Sequence, residues 1–241
     1  MAPAGYGDRV EGAHAAAAAA AAGRVLRLFV ERGRESRPAV RALIADVGEG
    51  SVVFVDDVRE MAHTDAPQGV AADCRPIRPV ALESFAGDGA AVLVLDHVED
   101  PRNVGAVARS AAAAGATGLV VSSRRSAPLS AVAFKAAAGA LETLPVAVTG
   151  SIPEALSRLK GLGVWAVGLD AAADQELFGL SLLAEPVAVV IGAEGAGLSR
   201  LAAKRCDLIV SIPMAEGAES LNASVSAALA SFEIMRARRP G

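Results

Sequence analysis

Short apolar runs recur along the chain from about residue 90 onward, and stretches with a helical pattern separate most of them. Near-continuous apolar runs that alternate with helices are typical of a parallel sheet covered on both faces. The pattern therefore predicts an α/β domain. Its predicted strands are AVLVLDHV, GLVVSS, LPVAVT, VWAVGLD, VAVVIGAE and LIVSIPM. Its predicted helices cover residues 103–114, 130–140, 151–160, 197–205 and about 220–238.

The first part of the chain has a different pattern, which predicts a smaller α/β unit. An alanine-rich helix ends at Gly23, and a second helix begins at Pro38 and ends at Gly48. The segments RVLRLFVERG, SVVFVDD and QGVAADCRP have the β-branched and apolar residues of strands, and VREMA is a short helical piece. These elements predict a compact αβαβ unit.

A change of composition between residues 76 and 88 marks the expected domain boundary. Prolines, glycines and acidic residues interrupt any long apolar period there. We therefore expect a small domain over residues 1–75, a linker over 76–88 and a larger domain over 89–241. The chain is 53% hydrophobic but only 3% aromatic, so its core must be built from aliphatic side chains.

The charge distribution leaves two interpretations open. The formal net charge of −4 argues against a surface that binds nucleic acid everywhere. Six arginines nevertheless fall between Arg24 and Arg41. They can form a solvated helix face, or a patch that contacts phosphates, since guanidinium groups match phosphate oxygens. Charge alone does not separate these two interpretations.

Several classes of protein are disfavoured by what the sequence contains. Its uncharged runs are shorter than the ~18 residues that a membrane span needs, and its N-terminus lacks the pattern of a signal peptide. The 2 cysteines have no metal or disulfide spacing, and the 3 histidines are scattered. Neither a G-x-S-x-G motif nor a Walker loop is present. We expect a soluble, cytoplasmic protein without a metal site.

The first candidate site follows the first strand of the larger domain, because ligands of parallel sheets bind where strands end and lead into helices. Asp96 and His97 end this strand, and the helix is predicted to open near Asn103, a reasonable N-cap. Arg109 is the one charged group of the predicted helix. It is either a surface arginine or a cation aimed at an anionic substrate, and the spacing favours neither.

The second and third candidate sites are two loops late in the chain. VIGAEGAGLSR carries Gly192, Glu194, Gly195 and Gly197 after an apolar strand, which suits either a tight turn or a backbone that wraps a nucleotide-like ligand. In IPMAEGAESLN, Ser220 or Asn222 can cap the last helix. Two such loops at neighbouring strand ends indicate a shared ligand pocket.

The three segments together resemble a known family. LDHVEDPRNVGAVARSA, VIGAEGAGLSR and IPMAEGAESLNASVSAALASFE are similar, in order and spacing, to the three motifs of the SpoU, or TrmH, family of RNA ribose 2'-O-methyltransferases. The resemblance covers about residues 88–239. VEGAHA and APQGVAA resemble the small RNA-binding domain of ribosomal members, although Pro67 stands where those members usually have histidine.

This resemblance implies a deep trefoil knot, a rare exception among folds, whose loops bind S-adenosylmethionine. The matched cofactor positions are Gly192, Glu194, Gly195, Ile212, Met214, Ser220, Leu221 and Asn222. The matched catalytic positions are Arg109, Asn103, Glu194 and Asn222. The RNA contacts that it implies are Arg24, Arg27, Arg32, Arg34 and Arg109. Family members are homodimers that pack through their knotted domains, and each active site borrows from the partner.

The function implied is S-adenosylmethionine-dependent 2'-O-methylation of a ribose in RNA, with large-subunit 23S rRNA as the expected target. The alternatives within this chemistry are a tRNA ribose methyltransferase and a self-resistance enzyme that methylates rRNA. A catalytically silent RNA-binding protein is an alternative of another class, and Asn103, Arg109, Glu194 and Asn222 argue against it. A nicotinamide-dependent oxidoreductase is disfavoured because the glycine loop comes late in the chain.

Overall fold

Two β-sheets organise the chain. A computed structural model describes residues 5–64, 66–124, 126–215, 217 and 220–239. The first sheet has four strands in the order β1-β4-β2-β3, with β2 and β3 parallel and β4 antiparallel to both of its neighbours. Its strands are β1 (Arg9–Glu11), β2 (Val25–Glu31), β3 (Val52–Val55) and β4 (Val70–Cys74).

The second sheet has six strands in the order β10-β8-β9-β5-β6-β7, and every neighbouring pair is parallel. This confirms the predicted α/β fold, with all six predicted strands present. The strands are β5 (Ala91–Leu95), β6 (Gly118–Ser122), β7 (Val146–Thr149), β8 (Trp165–Leu169), β9 (Val187–Ile191) and β10 (Leu208–Val210). The strands at the centre of this sheet are fully buried because helices cover both of its faces.

The helices agree with the sequence pattern in order, with differences at their ends and one predicted helix divided in two. They are α1 (Ala13–Ala21), α2 (Pro38–Val47), α3 (Pro101–Ala113), α4 (Ala131–Ala137), α5 (Ala140–Thr143), α6 (Ile152–Gly161), α7 (Arg200–Ala203) and α8 (Ala223–Ala237). Short 3-10 helices cover Glu49–Ser51, Val58–Met61, Leu82–Phe85 and Ser181–Ala184. The helix predicted over 130–140 is broken into α4 and α5, because Ala138 and Gly139 adopt left-handed backbone angles, with φ of 48° and 94°.

Two predictions about α3 need correction. Asn103 does not cap this helix: Asp100 does, and its Oδ1 accepts a hydrogen bond of 2.8 Å from the backbone N–H of Arg102. The helix therefore begins two residues earlier than predicted, at Pro101. Arg102 lies in its first turn, so Arg109 is not the only charged residue on the helix.

The segment predicted as a linker packs into the larger domain. Leu82 and Phe85 are buried, and the Phe85 ring lies so close to Gly118 that a Cβ at that glycine would stand 2.2 Å from it. The backbone N–H of Val80 donates a hydrogen bond of 2.9 Å to the carbonyl of Val146. Residues 76–88 therefore pack against the larger sheet instead of forming an exposed linker between two domains. The domain boundaries themselves stay a prediction.

A buried ion pair joins the two units. Arg24, at the start of β2, donates hydrogen bonds of 2.7 and 2.6 Å from Nε and Nη2 to the Glu142 carboxylate on α5. The two side chains are 11% and 3% exposed, and Nη1 of Arg24 donates to the carbonyl of Gly7 at 2.9 Å. The guanidinium is therefore occupied inside the chain. This corrects the prediction that Arg24 contacts RNA.

The end of the chain returns to the middle of the larger domain. Strand β9 inserts between β5 and β8, β10 lies at the far side of β8, and α8 then packs against α3, β5 and β9. The trefoil knot stays a prediction. Among the described residues, no helix is both long and apolar enough to cross a membrane.

Candidate active site

An open cleft lies at the carboxyl edge of the larger sheet, where β8, β9 and β10 end. Its volume is about 250 Å³. The residues that line it are Leu169, Asp170, Ala171, Ile191, Gly192, Ala193, Glu194, Gly195, Ala196, Gly197, Ile212, Met214, Ser220, Leu221, Ala223 and Ser226. The cleft therefore combines an apolar floor with backbone from two late loops, as the shared-pocket hypothesis expects.

The glycine loop builds one wall of this cleft from main chain. Ala193 and Gly197 exchange two backbone hydrogen bonds of 3.0 and 2.9 Å, which close a tight turn. A Cβ at Gly192 would stand 2.1 Å from the carbonyl carbon of Gly197, so only glycine fits at that position. The turn brings peptide groups rather than side chains to the ligand space. The loop is therefore a tight turn and, at the same time, a stretch of backbone that can wrap a ligand, so both interpretations of it hold.

A polar network joins the three segments that the sequence singles out. The Asn103 Nδ2 donates a hydrogen bond of 2.9 Å to the Glu194 Oε1, and the Asn222 Nδ2 donates one of 3.2 Å to the Asn103 Oδ1. The Asn222 Nδ2 is also bonded to the Glu194 Oε1. Residues that lie 91 and 119 positions apart in sequence therefore meet at one point.

Asn222 also caps the last helix. Its Oδ1 accepts a hydrogen bond of 2.8 Å from the backbone N–H of Ser224 and one of 2.6 Å from the Ser224 hydroxyl. The amide oxygen thus serves helix α8, while the amide nitrogen serves the network. The prediction that Ser220 or Asn222 caps this helix is confirmed for Asn222.

The structure brings together most of the predicted cofactor residues. Of the eight, all except Asn222 line the cleft, and Asn222 is joined to it through Glu194. Three lining residues at the end of β8 were missed, namely Leu169, Asp170 and Ala171. Their signal was available, because the run VWAVGLD ends in Asp170 and strand ends of a parallel sheet are the places where ligands bind.

Arg109 lies apart from this cluster. It is exposed on α3 and does not occur among the described residues that line either cleft. Six residues of helix separate it from Asn103, which is about 9 Å along the helix axis. Within one copy of the chain, Arg109 is therefore displaced from the ligand space.

A second cleft shares a wall with the first. It has a volume of about 480 Å³, and Ala193, Glu194 and Ala196 of the glycine loop are common to both clefts. The rest of its lining comes from the loop after β5 and the start of α3, namely His97, Val98, Glu99, Asp100 and Asn103. Glu194 therefore stands between the two clefts.

The cysteines do not supply a nucleophile. Burial raises the pKa of the Cys74 thiol and that of the Cys206 thiol to about 11, so both are neutral at physiological pH. The thiolate is the reactive form of cysteine. Among the described residues, no group of three or more histidine, cysteine or acidic side chains is arranged to hold a metal ion.

Comparison with known proteins identifies the family. The model of the SpoU rRNA Methylase family matches residues 90–232. A protein of Mycobacterium avium named an uncharacterized tRNA/rRNA methyltransferase is 39% identical over 221 residues, which cover 88% of this chain and 71% of the relative. A similar protein of Mycobacterium ulcerans is 38% identical over the same shares of the two chains.

Comparison with solved structures identifies the same family. The SpoU methyltransferase AviRb from Streptomyces viridochromogenes, in complex with AdoMet, superposes with a TM-score of 0.81 at 27% identity and covers 95% of this chain and 89% of its own. An RNA 2'-O ribose methyltransferase superposes with a TM-score of 0.82 at 29% identity, over 95% and 88% of the two chains. The predicted cofactor, S-adenosylmethionine, is thereby confirmed as that of the family. This chain belongs to the SpoU family of RNA methyltransferases.

Proposed function

We propose that this protein transfers a methyl group from S-adenosylmethionine to the 2'-hydroxyl of a ribose in 23S rRNA. The observation that carries the proposal is the network of Asn103, Glu194 and Asn222, which joins all three family motifs in the wall between two clefts. The name of one structural neighbour, an RNA 2'-O ribose methyltransferase, supports the ribose as acceptor.

The residues of the first cleft fit the cofactor. The side chains of Leu169, Ile191, Ile212 and Leu221 offer an apolar surface for a flat base, and the turn that Gly192 allows to close presents main chain along one wall of the cleft. S-adenosylmethionine supplies an activated methyl group when it is bound. The protein supplies position and electrostatics, since much of the rate gain comes from holding the reacting atoms in line.

The polar network places the acceptor next to the cofactor cleft. Glu194 lines both clefts, so a ribose in the second cleft lies one side chain away from a ligand in the first. Asn103 and Asn222 hold the Glu194 carboxylate by donating to it, which leaves the orientation of all three side chains fixed. We assign these residues to positioning the ribose.

Arg109 is the cation of the proposed reaction. A guanidinium does not lose its proton in proteins, so it cannot act as a base. It can fix a phosphate of the target strand and stabilise the negative charge that develops on the ribose oxygen. Because Arg109 lies outside both clefts of its own chain, we propose that it acts in the site of a second copy.

A homodimer through the C-terminal domain supplies that second copy. Helix α8 packs against α3, which carries Arg109, and exposes two large apolar side chains, Val225 and Phe232, each 45% exposed. They lie seven residues apart and therefore on one face of the helix. An apolar stripe beside an exposed arginine suits a two-fold interface that carries each Arg109 to the partner's cleft.

The smaller sheet supplies the proposed RNA surface. Arg27 and Arg32 are exposed, and Arg34 is half-buried beside Glu31 at 3.1 Å. The pair of Arg32 with Asp56 at 3.2 Å is solvent-exposed on both sides, so a phosphate can compete for Arg32 at little cost. Affinity for RNA should therefore fall steeply as salt rises.

A tRNA ribose is the second candidate acceptor. The mycobacterial relatives are named tRNA/rRNA methyltransferases, which favours neither RNA over the other. We place rRNA first because the sequence before residue 75 resembles the RNA-binding domain of ribosomal members. The two acceptors are distinguished by experiment.

The test is to incubate the protein with S-adenosylmethionine and either unmodified 23S rRNA or unmodified tRNA, and to map 2'-O-methylation along each RNA. A 2'-O-methyl group blocks alkaline cleavage of the neighbouring phosphodiester, because the attacking hydroxyl is gone. We expect one protected position in 23S rRNA and none in tRNA. Protection only in tRNA would move the proposal to the second candidate. Methylation of a base without alkaline protection would overturn it.

A further inference from the structure

His97 occupies an unusual backbone position at the edge of the second cleft. It is the second residue after β5, its φ is 61°, and its side chain is 37% exposed. It lines the cleft together with Asn103 and Glu194 of the polar network. The imidazole therefore faces the space in which the proposed function places the acceptor ribose.

A buried carboxylate stands behind this imidazole. Asp96 is 1% exposed, and its Oδ2 accepts a hydrogen bond of 2.7 Å from the backbone N–H of Ser199. Its Oδ1 lies 3.4 Å from the His97 Nδ1. A carboxylate on the Nδ1 side of the ring favours the tautomer with the proton on Nδ1, which leaves Nε2 as the acceptor. The Nε2 of His97 is then the basic atom of the ring.

Methyl transfer to a hydroxyl releases a proton, and few groups around the cleft are free to take it. Arg109 cannot accept it. Asp100 caps α3, Glu194 accepts from Asn103 and Asn222, and Glu99 is exposed to solvent. His97 lines the cleft beside Asn103 and Glu194 and offers a nitrogen lone pair there.

We propose that His97 is the catalytic base of the methyl transfer, an inference that rests on the proposed function. As the ribose oxygen bonds to the methyl carbon, the carbon–sulfur bond breaks and its electron pair stays on sulfur. The O–H bond breaks, and its proton passes to the His97 Nε2. The imidazolium is stabilised by Asp96 and releases the proton to solvent through its exposed edge.

A structural role for His97 makes a different prediction. Histidine, asparagine and glycine all tolerate a left-handed backbone better than other residues. If His97 served only this turn, His97→Asn would act like the wild type. His97→Asn is therefore the decisive variant, because it keeps the backbone conformation and removes the base. His97→Gly is the companion variant, since it leaves a gap that free imidazole can enter.

The experiment compares the three proteins as purified full-length chains under single-turnover conditions. We expect both variants to bind S-adenosylmethionine and RNA like the wild type in calorimetry, and to transfer the methyl group about 100-fold more slowly, as is typical for loss of a general base. Added imidazole should restore a large part of the rate to His97→Gly and none to His97→Asn.

The pH profile provides a readout that a structural role would not change. The charged groups facing the imidazole are Asp96, Glu99, Asp100 and Glu194, with Arg102 paired to Asp100 at 4.0 Å. The wild-type rate should fall on the acid side as the imidazole becomes protonated, and His97→Asn should lack this acid limb. The same limb in both proteins would assign it to one of the carboxylates and overturn the proposal.

A readout independent of turnover uses the demethylated cofactor. In its presence, the His97 ring signals in NMR should shift when an RNA fragment with the target 2'-hydroxyl binds, and shift less with the 2'-deoxy fragment. Equal shifts, or a His97→Asn protein with the wild-type rate, would refute the role of His97. A wild-type protein that methylates no ribose would instead refute the proposed function.

Discussion

At the scale of single residues, Asn222 shows how one side chain serves both stability and the site. Its oxygen caps α8 and its nitrogen holds Glu194, so the two roles can be separated by substitution. Asn222→Ser keeps an oxygen that can cap the helix but removes the amide donors. Asn222→Ala removes both.

We expect Asn222→Ala to lower the free energy of unfolding by ~1 kcal/mol, the usual value of an N-cap, and Asn222→Ser to change it little. Methyl transfer should fall in both variants, since both remove one of the two amide donors that hold Glu194. Urea unfolding and a methyl-transfer assay on the same preparations check this. Full methyl transfer by Asn222→Ser would mean that Asn222 acts only as the cap of α8, and that its hydrogen bond to Glu194 is not needed for activity.

The sequence could predict these residues but not their contacts. Asn103, Glu194 and Asn222 stand at strand or helix ends, where polar residues with small or glycine neighbours are visible in the pattern. Their hydrogen bonds join positions about a hundred residues apart, and no local period contains that information. For the same reason Arg24 was misjudged: its buried partner, Glu142, lies 118 residues away.

At the scale of elements, α3 and α4 of the larger domain pack closely against each other. Gly105 on α3 makes it possible, because a Cβ there would stand 2.3 Å from the carbonyl oxygen of Ala133 and 2.7 Å from the Cβ of Ala136. Backbone rather than a flexible side chain blocks the space. Helix α3 carries Asn103, so this contact also fixes the position of the network.

We expect Gly105→Ala to destabilise the protein by about 1–3 kcal/mol through overpacking. Gly161→Ala is the matched control, because Gly161 is also helical and its Cβ would meet nothing within 4 Å. That variant should gain up to about 1 kcal/mol from helix propensity. Thermal unfolding of both measures the difference. Equal shifts in the unfolding temperatures of the two variants would show that α3 and α4 can move apart at no cost in stability.

Element positions were largely predictable, and the failures have physical causes. Strand β1 was missed because it has three residues and gains its stability from pairing with β4 rather than from its own pattern. The break between α4 and α5 occurs at Ala138 and Gly139, whose φ values are 48° and 94°. Ala138 is a good helix former, but glycine commonly ends helices in the left-handed conformation, so Gly139 was the local signal for this break.

At the scale of the whole molecule, the junction between the two units contains Tyr6, the chain's only tyrosine. Its ring lies 6.1 Å from that of Phe134 on α4, and 8% of the residue is exposed. Burial, with a further contribution from Glu142, raises the pKa of Tyr6 from 10.0 to about 12, although Arg24 opposes this. The folded protein therefore holds this proton more tightly than the unfolded chain.

Stability should thus be unaffected by Tyr6 below pH 10 and should fall as the pH rises from 10 toward 12. The ultraviolet absorbance of tyrosinate reports its ionisation directly, and we expect its midpoint near 12 while the chain stays folded. Tyr6→Phe keeps the ring and should lose less stability over that range. Both proteins should carry Cys74→Ala and Cys206→Ala, because both thiols also titrate in alkali. A midpoint of 10 would show that the junction is open in solution.

The position of Arg109 determines whether one active site needs two chains. The position of Arg109 outside both clefts of its own chain makes the question testable by mixing two inactive variants. Arg109→Ala keeps the cofactor cleft intact and should abolish methyl transfer while calorimetry still detects cofactor binding. Gly192→Ala keeps Arg109 but forces a Cβ into the backbone of Gly197, which should close the cofactor site.

If Arg109 acts across a two-fold interface, a heterodimer of these variants contains one complete site: the cleft of the Arg109→Ala chain with the arginine of the Gly192→Ala chain. Random mixing then gives about a quarter of all sites intact, and activity should appear on mixing and grow as subunits exchange. If Arg109 serves its own chain, every site in the mixture lacks one component. A mixture that stays inactive, although light scattering shows dimers and tagged chains show exchange, would therefore place the arginine within its own subunit.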